Sequence, residues 1–294
     1  MSHQLQSFAF HGQIEPEHQA YLKKHGVLHF KQFISKSTVA GFLVEIRNIE
    51  QYLIARQITK VNGIPLKYGT GTDGRTIIQR IAFASQYSDT LHRFLNSEAL
   101  GALTALLAPY QGRIGENEKD GLVVNHYINS GDSSFTRLGW HTDSPRDLFL
   151  GSRIKPMLNV GLHLDDCPYE NGGLRVIPGT HNQGLWNLFF KKKYFVDHAP
   201  DKKETGFSIE AGDLTIHDGR LWHRVQQSPF SGEKSRRRVM YIPVITGDYH
   251  PKDANSATPF YHQLAGIKRS TLLLKGKSGK ERSQALPLLP ELNS

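Results

Sequence analysis

The chain has 294 residues, enough for one large or two ordinary domains with a sizeable core. Its 36 Lys and Arg against 27 Asp and Glu leave a formal charge of +9, and a single cysteine, Cys167, excludes an internal disulfide and any multi-cysteine zinc site. The lone thiol, and the lack of a basic region followed by an apolar run in "MSHQLQSFAFHGQIEPEHQ", predict a cytoplasmic protein without a signal peptide or a membrane span.

The N-terminal third, about residues 15–110, reads as helical. "STVAGFLVEIRNIEQYLIARQ" places Val39, Phe42, Leu43, Ile46, Ile49 and Leu53 at spacings of three and four, with Ser35 or Ser37 as N-cap. "VNGIPLKYGTGTDGRT" is rich in glycine and turn residues and predicts a loop; over 63–75 it could close as a lid carrying Lys67 or Arg75. "SDTLHRFLNSEALGALTALLAPY" returns to helical spacing, and its interior Asn-Ser and Gly101 predict two short helices.

From about residue 121 to 246 the texture changes to short runs rich in β-branched and aromatic residues, bounded by turn residues. "GLVVNHYIN", "PMLNVGLHLDD", "GGLRVIPGTH", "FSIEAGDLTIHDG", "LWHRVQQS" and "RRRVMYIPVIT" are such runs. They predict an α+β chain: a jelly-roll core with the N-terminal helices packed on one sheet. Residues 1–270 then form a single domain, and 271–294 a peripheral tail. The basic residues form no strip interleaved with aromatics, so the positive balance points to a small anionic molecule rather than nucleic acid. Oligomeric state leaves no signal.

Fifteen histidines make chance pairings common, and two His-x-Asp triplets occur, His141–Asp143 and His163–Asp165. His163 lies inside an alternating run and reads as a sheet histidine. His141 follows a polar loop and precedes a Ser-Pro turn, so His141 and Asp143 can point the same way at a strand end. A third ligand could be His217 or His223, the latter again at an element end. Two histidines and one carboxylate suit non-haem Fe(II) with open coordination positions, or a catalytic zinc.

Four elements in order carry a resemblance to the phytanoyl-CoA dioxygenase family of Fe(II)- and 2-oxoglutarate-dependent oxygenases. They are Trp140-His141-Thr142-Asp143, "LDDCPYENGGLRVIPGTH", "GDLTIHDGRLWH" ending in His223, and the arginines before "VMYIPV". The resemblance implies a double-stranded β-helix (cupin-like) core, with His141, Asp143 and His223 as iron ligands and O₂ and 2-oxoglutarate as cosubstrates. It implies that one arginine of Arg236, Arg237 and Arg238 holds the distal carboxylate of 2-oxoglutarate; the family pattern selects Arg237, and a slip of one residue would shift the role. Asn125 becomes an inward contact to cosubstrate, or a structural amide. Related halogenases replace the carboxylate by Gly or Ala, so Asp143 implies hydroxylation or desaturation.

For substrate, the resemblance implies an amino acid or N-substituted amino acid first, and an acyl-CoA or another lipid or natural product second. Arg146 could hold a substrate carboxylate or form a surface pair with Asp147. A catalytically silent relative is disfavoured by the intact ligand set.

Overall fold

A computed structural model describes residues 5–130, 133, 135–149 and 153–259. The amphipathic helix forms at Lys36–Ala55, where the Ser35 hydroxyl accepts from the Thr38 amide at 3.1 Å and so satisfies one orphan donor of the first turn. Val39, Phe42, Ile46, Ile49 and Leu53 are its buried stripe. The second helical segment breaks into two helices, Asp89–Leu95 and Glu98–Ala102, followed by a 3₁₀ turn at Leu103–Leu107. Ser88 and Ser97 cap the two helices, which is why the Asn-Ser pair interrupts them.

Two principal sheets, beside a two-stranded hairpin of Lys60–Val61 and Ile64–Pro65, carry the rest of the described residues. The larger of the two has nine strands among them. Its central order is Val27–Lys31, Leu214–Asp218, Met157–His163, Gly232–Thr246, Val123–Asn129, Thr76–Ile81. The smaller runs Thr205–Gly206, Gly173–Val176, His223–Gln226, Leu138–His141. Alternation sorts the long strands by face. Leu158, Val160, Leu162, Leu214, Ile216, Met240, Ile242 and Val244 join Phe42, Ile46, Ile49 and Leu53 of the long helix in one core. At about 1.5–3 kcal/mol for each such side chain removed from water, this layer is what fastens the helices to the sheet. The opposite face, turned to the smaller sheet, holds Asn125, Tyr127, Asn159, Gly161, His163, Thr215, His217, Arg237, Val239 and Tyr241, as the cross-strand pairing requires.

Two expectations for the N-terminal third are corrected. It is not wholly helical, because Val27–Lys31 pairs with Leu214–Asp218 and extends the large sheet. The glycine-rich segment is not a plain loop either. Lys67–Thr70 and Thr76–Ile81 form an antiparallel hairpin at the sheet edge, with Gly71 and Gly74 in its turn. Glycine signalled the turn correctly, but the flanking strands are too short and polar to show a period. The expected tail, 271–294, and the boundary near 270 lie outside the described residues. Among the described residues no helix is long and apolar enough to cross a membrane.

Candidate functional site

His141 ends its strand and His223 begins the neighbouring one, and their Cα positions are paired. The turn after His141 carries Asp143. It is clamped to the turn before His223: the Asp143 and Ser144 amides both donate to the Gly219 carbonyl, at 2.7 and 2.8 Å. Only glycine fits there, since a Cβ on Gly219 would lie 2.5 Å from Met157 and 2.7 Å from the Ser144 hydroxyl. Residues distant in sequence thus meet at one edge of the barrel. One donor atom from each of His141, Asp143 and His223 lies within 4.8 Å of the others.

The donor chemistry fits a divalent cation. Nδ1 of His141 donates to the Gly139 carbonyl at 2.8 Å, and Nδ1 of His223 to the Leu221 carbonyl at 2.9 Å. A carbonyl can only accept, so each neutral ring keeps its proton on Nδ1 and offers a lone pair from Nε2. Nε2 of His141 stands 3.9 Å from Asp143 Oδ1, and Nε2 of His223 stands 3.8 Å from Oδ2. Burial, reinforced by His141 and His217, pushes His223 well below the ordinary imidazole range. Burial alone would raise the Asp143 carboxyl, but His223, the hydrogen bond from His217, and His141 outweigh it and hold the carboxyl well below its usual range. Two neutral imidazoles and one carboxylate are the forms a metal ligand needs.

Two further residues belong to this site: Asn159, which the sequence did not single out, and His217, which it offered only as an alternative third ligand. Asn159 Nδ2 donates to Asp143 Oδ2 at 3.0 Å, and His217 Nε2 lies 3.4 Å from the same oxygen. His217 is fully buried inside its strand and faces the site rather than the core, beside the carboxylate and outside the three clustered donors. A polar residue on the alternating face of "MLNVGLH" was the only available signal for Asn159.

The arginine run divides by strand alternation. Arg238 makes a bidentate pair with Asp165, at 2.9 and 2.6 Å, and Arg236 pairs with Glu233. Arg237 points the other way and is 5% exposed. Its guanidinium donates to the carbonyls of Gln226, Thr136 and Ser235, and no carboxylate pairs with it among the described residues. It lines a small internal cavity with Tyr127, His163, Val225 and Tyr241. Asn125, on the same inner face, donates to the Tyr127 hydroxyl at 3.3 Å and leaves its buried Oδ1 without a partner among the described residues.

Other sequence candidates fall elsewhere. His163 is buried within hydrogen-bonding distance of Thr215, 3.0 Å away, and burial lowers it to about 3; it stands apart from the triad. Lys67 lies over the Phe135 ring at 4.2 Å, whereas Arg75 is exposed beside Asp73. The expected surface pair of Arg146 and Asp147 is corrected, because Asp147 is fully buried and bonded to Lys119 at 2.6 Å and Tyr249 at 3.0 Å. A carboxylate with two interior partners has no reason to seek a surface one. Arg146 opens the short helix Arg146–Phe149 just past Asp143; its side chain lies outside the described residues.

Comparison with known proteins agrees with this geometry. The family model for phytanoyl-CoA dioxygenase matches residues 22–237. A curated relative from Stutzerimonas stutzeri, named a probable alpha-ketoglutarate-dependent hypophosphite dioxygenase, is 23% identical over 269 residues, covering 86% of this chain and 85% of the relative. Among solved structures, the non-heme alpha-ketoglutarate-dependent epimerase SnoN of nogalamycin biosynthesis superposes with a TM-score of 0.58 at 20% identity, covering 82% of this chain and 91% of its own. The carbocyclase SnoK of the same biosynthesis gives 0.57 at 14% identity, covering 87% and 90%. HygX from Streptomyces hygroscopicus, solved with nickel and 2-oxoglutarate, gives 0.56 at 14%, covering 81% and 89%. These likenesses establish a shared jelly-roll fold.

Proposed function

Because the chain belongs to the phytanoyl-CoA dioxygenase family, and is a 2-oxoglutarate-dependent dioxygenase with iron as its metal, we propose that it hydroxylates an unactivated C–H of a small carboxylate-bearing molecule, an amino acid or N-substituted amino acid. The observation that carries the reading is the convergence of His141, Asp143 and His223, with Nδ1 of each histidine turned to a main-chain carbonyl and Nε2 toward the carboxylate. In this proposal the three hold iron, and Arg237 with Asn125 receives 2-oxoglutarate. A buried guanidinium hydrogen-bonded only to main-chain carbonyls is suited to one planar carboxylate, the distal one of 2-oxoglutarate, which it can grip through two parallel hydrogen bonds. Iron with 2-oxoglutarate supplies the oxygen chemistry: the cosubstrate leaves as succinate and CO₂, and one oxygen atom enters the substrate.

The chain's own residues supply position and exclusion of water. Asn159 and His217 orient the Asp143 carboxylate. Gly219 clamps the ligand-bearing turn. Phe195 stacks on the His141 ring at 4.9 Å and covers it from solvent. Arg146, whose backbone follows the Asp143 turn directly, is proposed as a contact for the substrate carboxylate. The substrate is anionic in this reading, in keeping with the net charge of +9. The name of the Stutzerimonas stutzeri relative also specifies an anion, hypophosphite.

A second reading, hydroxylation of an acyl-CoA or another natural product, draws support from neighbours named for nogalamycin biosynthesis. Those neighbours are named an epimerase and a carbocyclase, so product analysis must accompany any activity assay.

The test is anaerobic addition of Fe(II) and 2-oxoglutarate, looking for a weak visible charge-transfer band, followed by oxygen and a panel of amino acids, N-acyl amino acids and acyl-CoAs. The band is expected in the wild type and in His163→Ala, and is expected to vanish in His141→Ala, Asp143→Ala and His223→Ala. A wild type with neither band nor succinate refutes the proposal. A band lost in His163→Ala, with His141→Ala unaffected, would reassign the ligands.

A further inference from the structure

The segment that follows "PGTH" is built against the three proposed ligands and then turns its apolar side chains outward. The Phe195 amide donates to the Trp140 carbonyl at 2.9 Å, and the Trp140 amide to the Asp197 carbonyl at 2.8 Å. The chain can lie this close because position 139 is glycine: a Cβ there would come within 2.6 Å of the Phe195 carbonyl. The Tyr194 hydroxyl donates to the Leu188 carbonyl at 2.6 Å, so it accepts from the Thr142 hydroxyl, also at 2.6 Å. The Trp222 indole donates to the Asn187 carbonyl at 3.1 Å. Trp140, Thr142 and Trp222 are chain neighbours of His141, Asp143 and His223. The helix Leu185–Phe190 and the turn after it are therefore hung from the ligand-bearing strands themselves.

What this mount presents is unusual for a protein surface. Trp186 is 75% exposed, Phe190 65% and Phe195 50%, and Val196 is exposed beside them. Trp186 and Phe190 touch, with ring centroids 4.4 Å apart. Phe195 adopts a φ of +61°, in the left-handed region that a bulky aromatic residue rarely occupies, so the fold holds its ring over His141 against backbone preference. Such strain, and exposed apolar side chains gathered in one short segment, both concentrate at sites that bind. Lys191 and Lys193 stand exposed within the same stretch, while Lys192 turns back to Asp201 at 2.7 Å and to the Trp140 ring. The surface is apolar next to the proposed iron site and cationic around it.

We propose that residues 186–196 are the recognition surface for an amphipathic carboxylate: its apolar or aromatic portion lies across Phe195, Phe190 and Trp186, and its anion is drawn in by Lys191 and Lys193. The inference rests on the reading of His141, Asp143 and His223 as the iron site and narrows its substrate class. It selects an amino acid carrying an acyl or aryl substituent on nitrogen over the free amino acid. The apolar body lies nearest His141, so the C–H that is oxidised belongs to that body.

Two measurements on the full-length protein test it. The first is calorimetric binding of N-benzoyl and N-decanoyl amino acids, their methyl esters, and the free amino acids, none of which requires turnover. The second is KM for the N-substituted carboxylates in the iron- and 2-oxoglutarate-loaded enzyme, with the visible band as control for an intact iron site. Binding is expected for the N-substituted carboxylates and to be at least tenfold weaker for the free amino acids. Trp186→Ala with Phe190→Ala is expected to raise both Kd and KM at least tenfold with the band unchanged. Lys191→Glu with Lys193→Glu should weaken the carboxylates and leave the esters as they were. Equal binding of free and N-substituted amino acids, or unchanged constants in the aromatic variant, overturns the proposal. So does co-sedimentation of the wild type with phosphatidylglycerol vesicles that is lost in the aromatic variant while KM stays constant, which would make this a membrane-docking face. A wild type without the visible band, yet with the binding pattern above, refutes the iron-site reading and leaves the recognition surface standing.

Discussion

Asn159 donates a 3.0 Å hydrogen bond to Oδ2 of Asp143, across the gap between the large sheet and the turn that follows His141. His217, paired with Asn159 on the adjacent strand, approaches the same oxygen at 3.4 Å. Together they hold one carboxylate oxygen and leave Oδ1, on the His141 side, free to bind a cation. Partners that orient a ligand in this way typically carry about 10–100-fold in metal affinity. Asn159→Ala and His217→Ala are each expected to weaken Fe(II) or Co(II) binding by about that factor. Metal titration of the apo-protein measures it, and wild-type affinity in both variants would show that the hydrogen bonds do not orient the ligand.

Arg237 and Arg238 are neighbours that face opposite sides of their strand. Removing Arg238 leaves Asp165 without its bidentate partner, so Arg238→Ala should lower stability with little effect on the cosubstrate. Arg237→Ala should instead raise the KM for 2-oxoglutarate by roughly 10–100-fold, the value of a charged hydrogen bond of about 1.5–3 kcal/mol. Iron affinity should not change. The reverse pattern in steady-state kinetics and urea unfolding would transfer the cosubstrate role to Arg238.

Gly219 is the contact point between the turn that carries Asp143 and the turn that leads into His223. Its α-carbon leaves no room for a methyl group against Met157 and Ser144, and its carbonyl receives the amides of Asp143 and Ser144. Gly219→Ala is expected to destabilise the protein by about 1–3 kcal/mol through overpacking. It should also weaken metal binding, because the strain falls on the Asp143 turn. Metal affinity equal to wild type in a destabilised variant would separate the clamp from the site.

Acid should destabilise the apo-protein through its buried histidines. Burial lowers His163 to about 3 and His126 to about 4, whereas both titrate near 6.5 when unfolded. Between those values the unfolded chain binds more protons than the folded one. Stability is therefore complete above about pH 6.5 and declines as pH falls toward the folded values, by up to about 1.4 kcal/mol per pH unit for each group. His163→Gln, which can still hydrogen-bond Thr215, should show a shallower decline in urea unfolding across pH 7 to 4. An unchanged slope would mean that the His163 imidazole binds its proton equally well in the folded and the unfolded chain.

Much of the site was legible in sequence because its strongest elements are local. A histidine and aspartate two apart at a strand end act through short-range geometry, and the PGTH block and the distal histidine, though remote from them in the chain, are each recognisable as a local motif. The stripe of Val39, Phe42, Ile46, Ile49 and Leu53 was legible for the same reason: one helix fixes its own period. Asn159 was not legible as a site residue, because what matters is its partner on another layer. Asp147 was misread as a surface residue because its partners, Lys119 and Tyr249, come from segments remote in sequence.

The sequence by itself determined the candidate His-x-Asp pair and distal histidine, the strand texture of 121–246 and the family. Tertiary structure alone decided three things: which arginine faces inward, that His217 and Asn159 share one oxygen of Asp143, and that Phe195 stacks on His141. The physical reason is common to all three. Strand alternation gives two faces but not which is inner, and only the pairing of Arg237 with Tyr127, of Asn159 with His217, and of His141 with His223 assigns them.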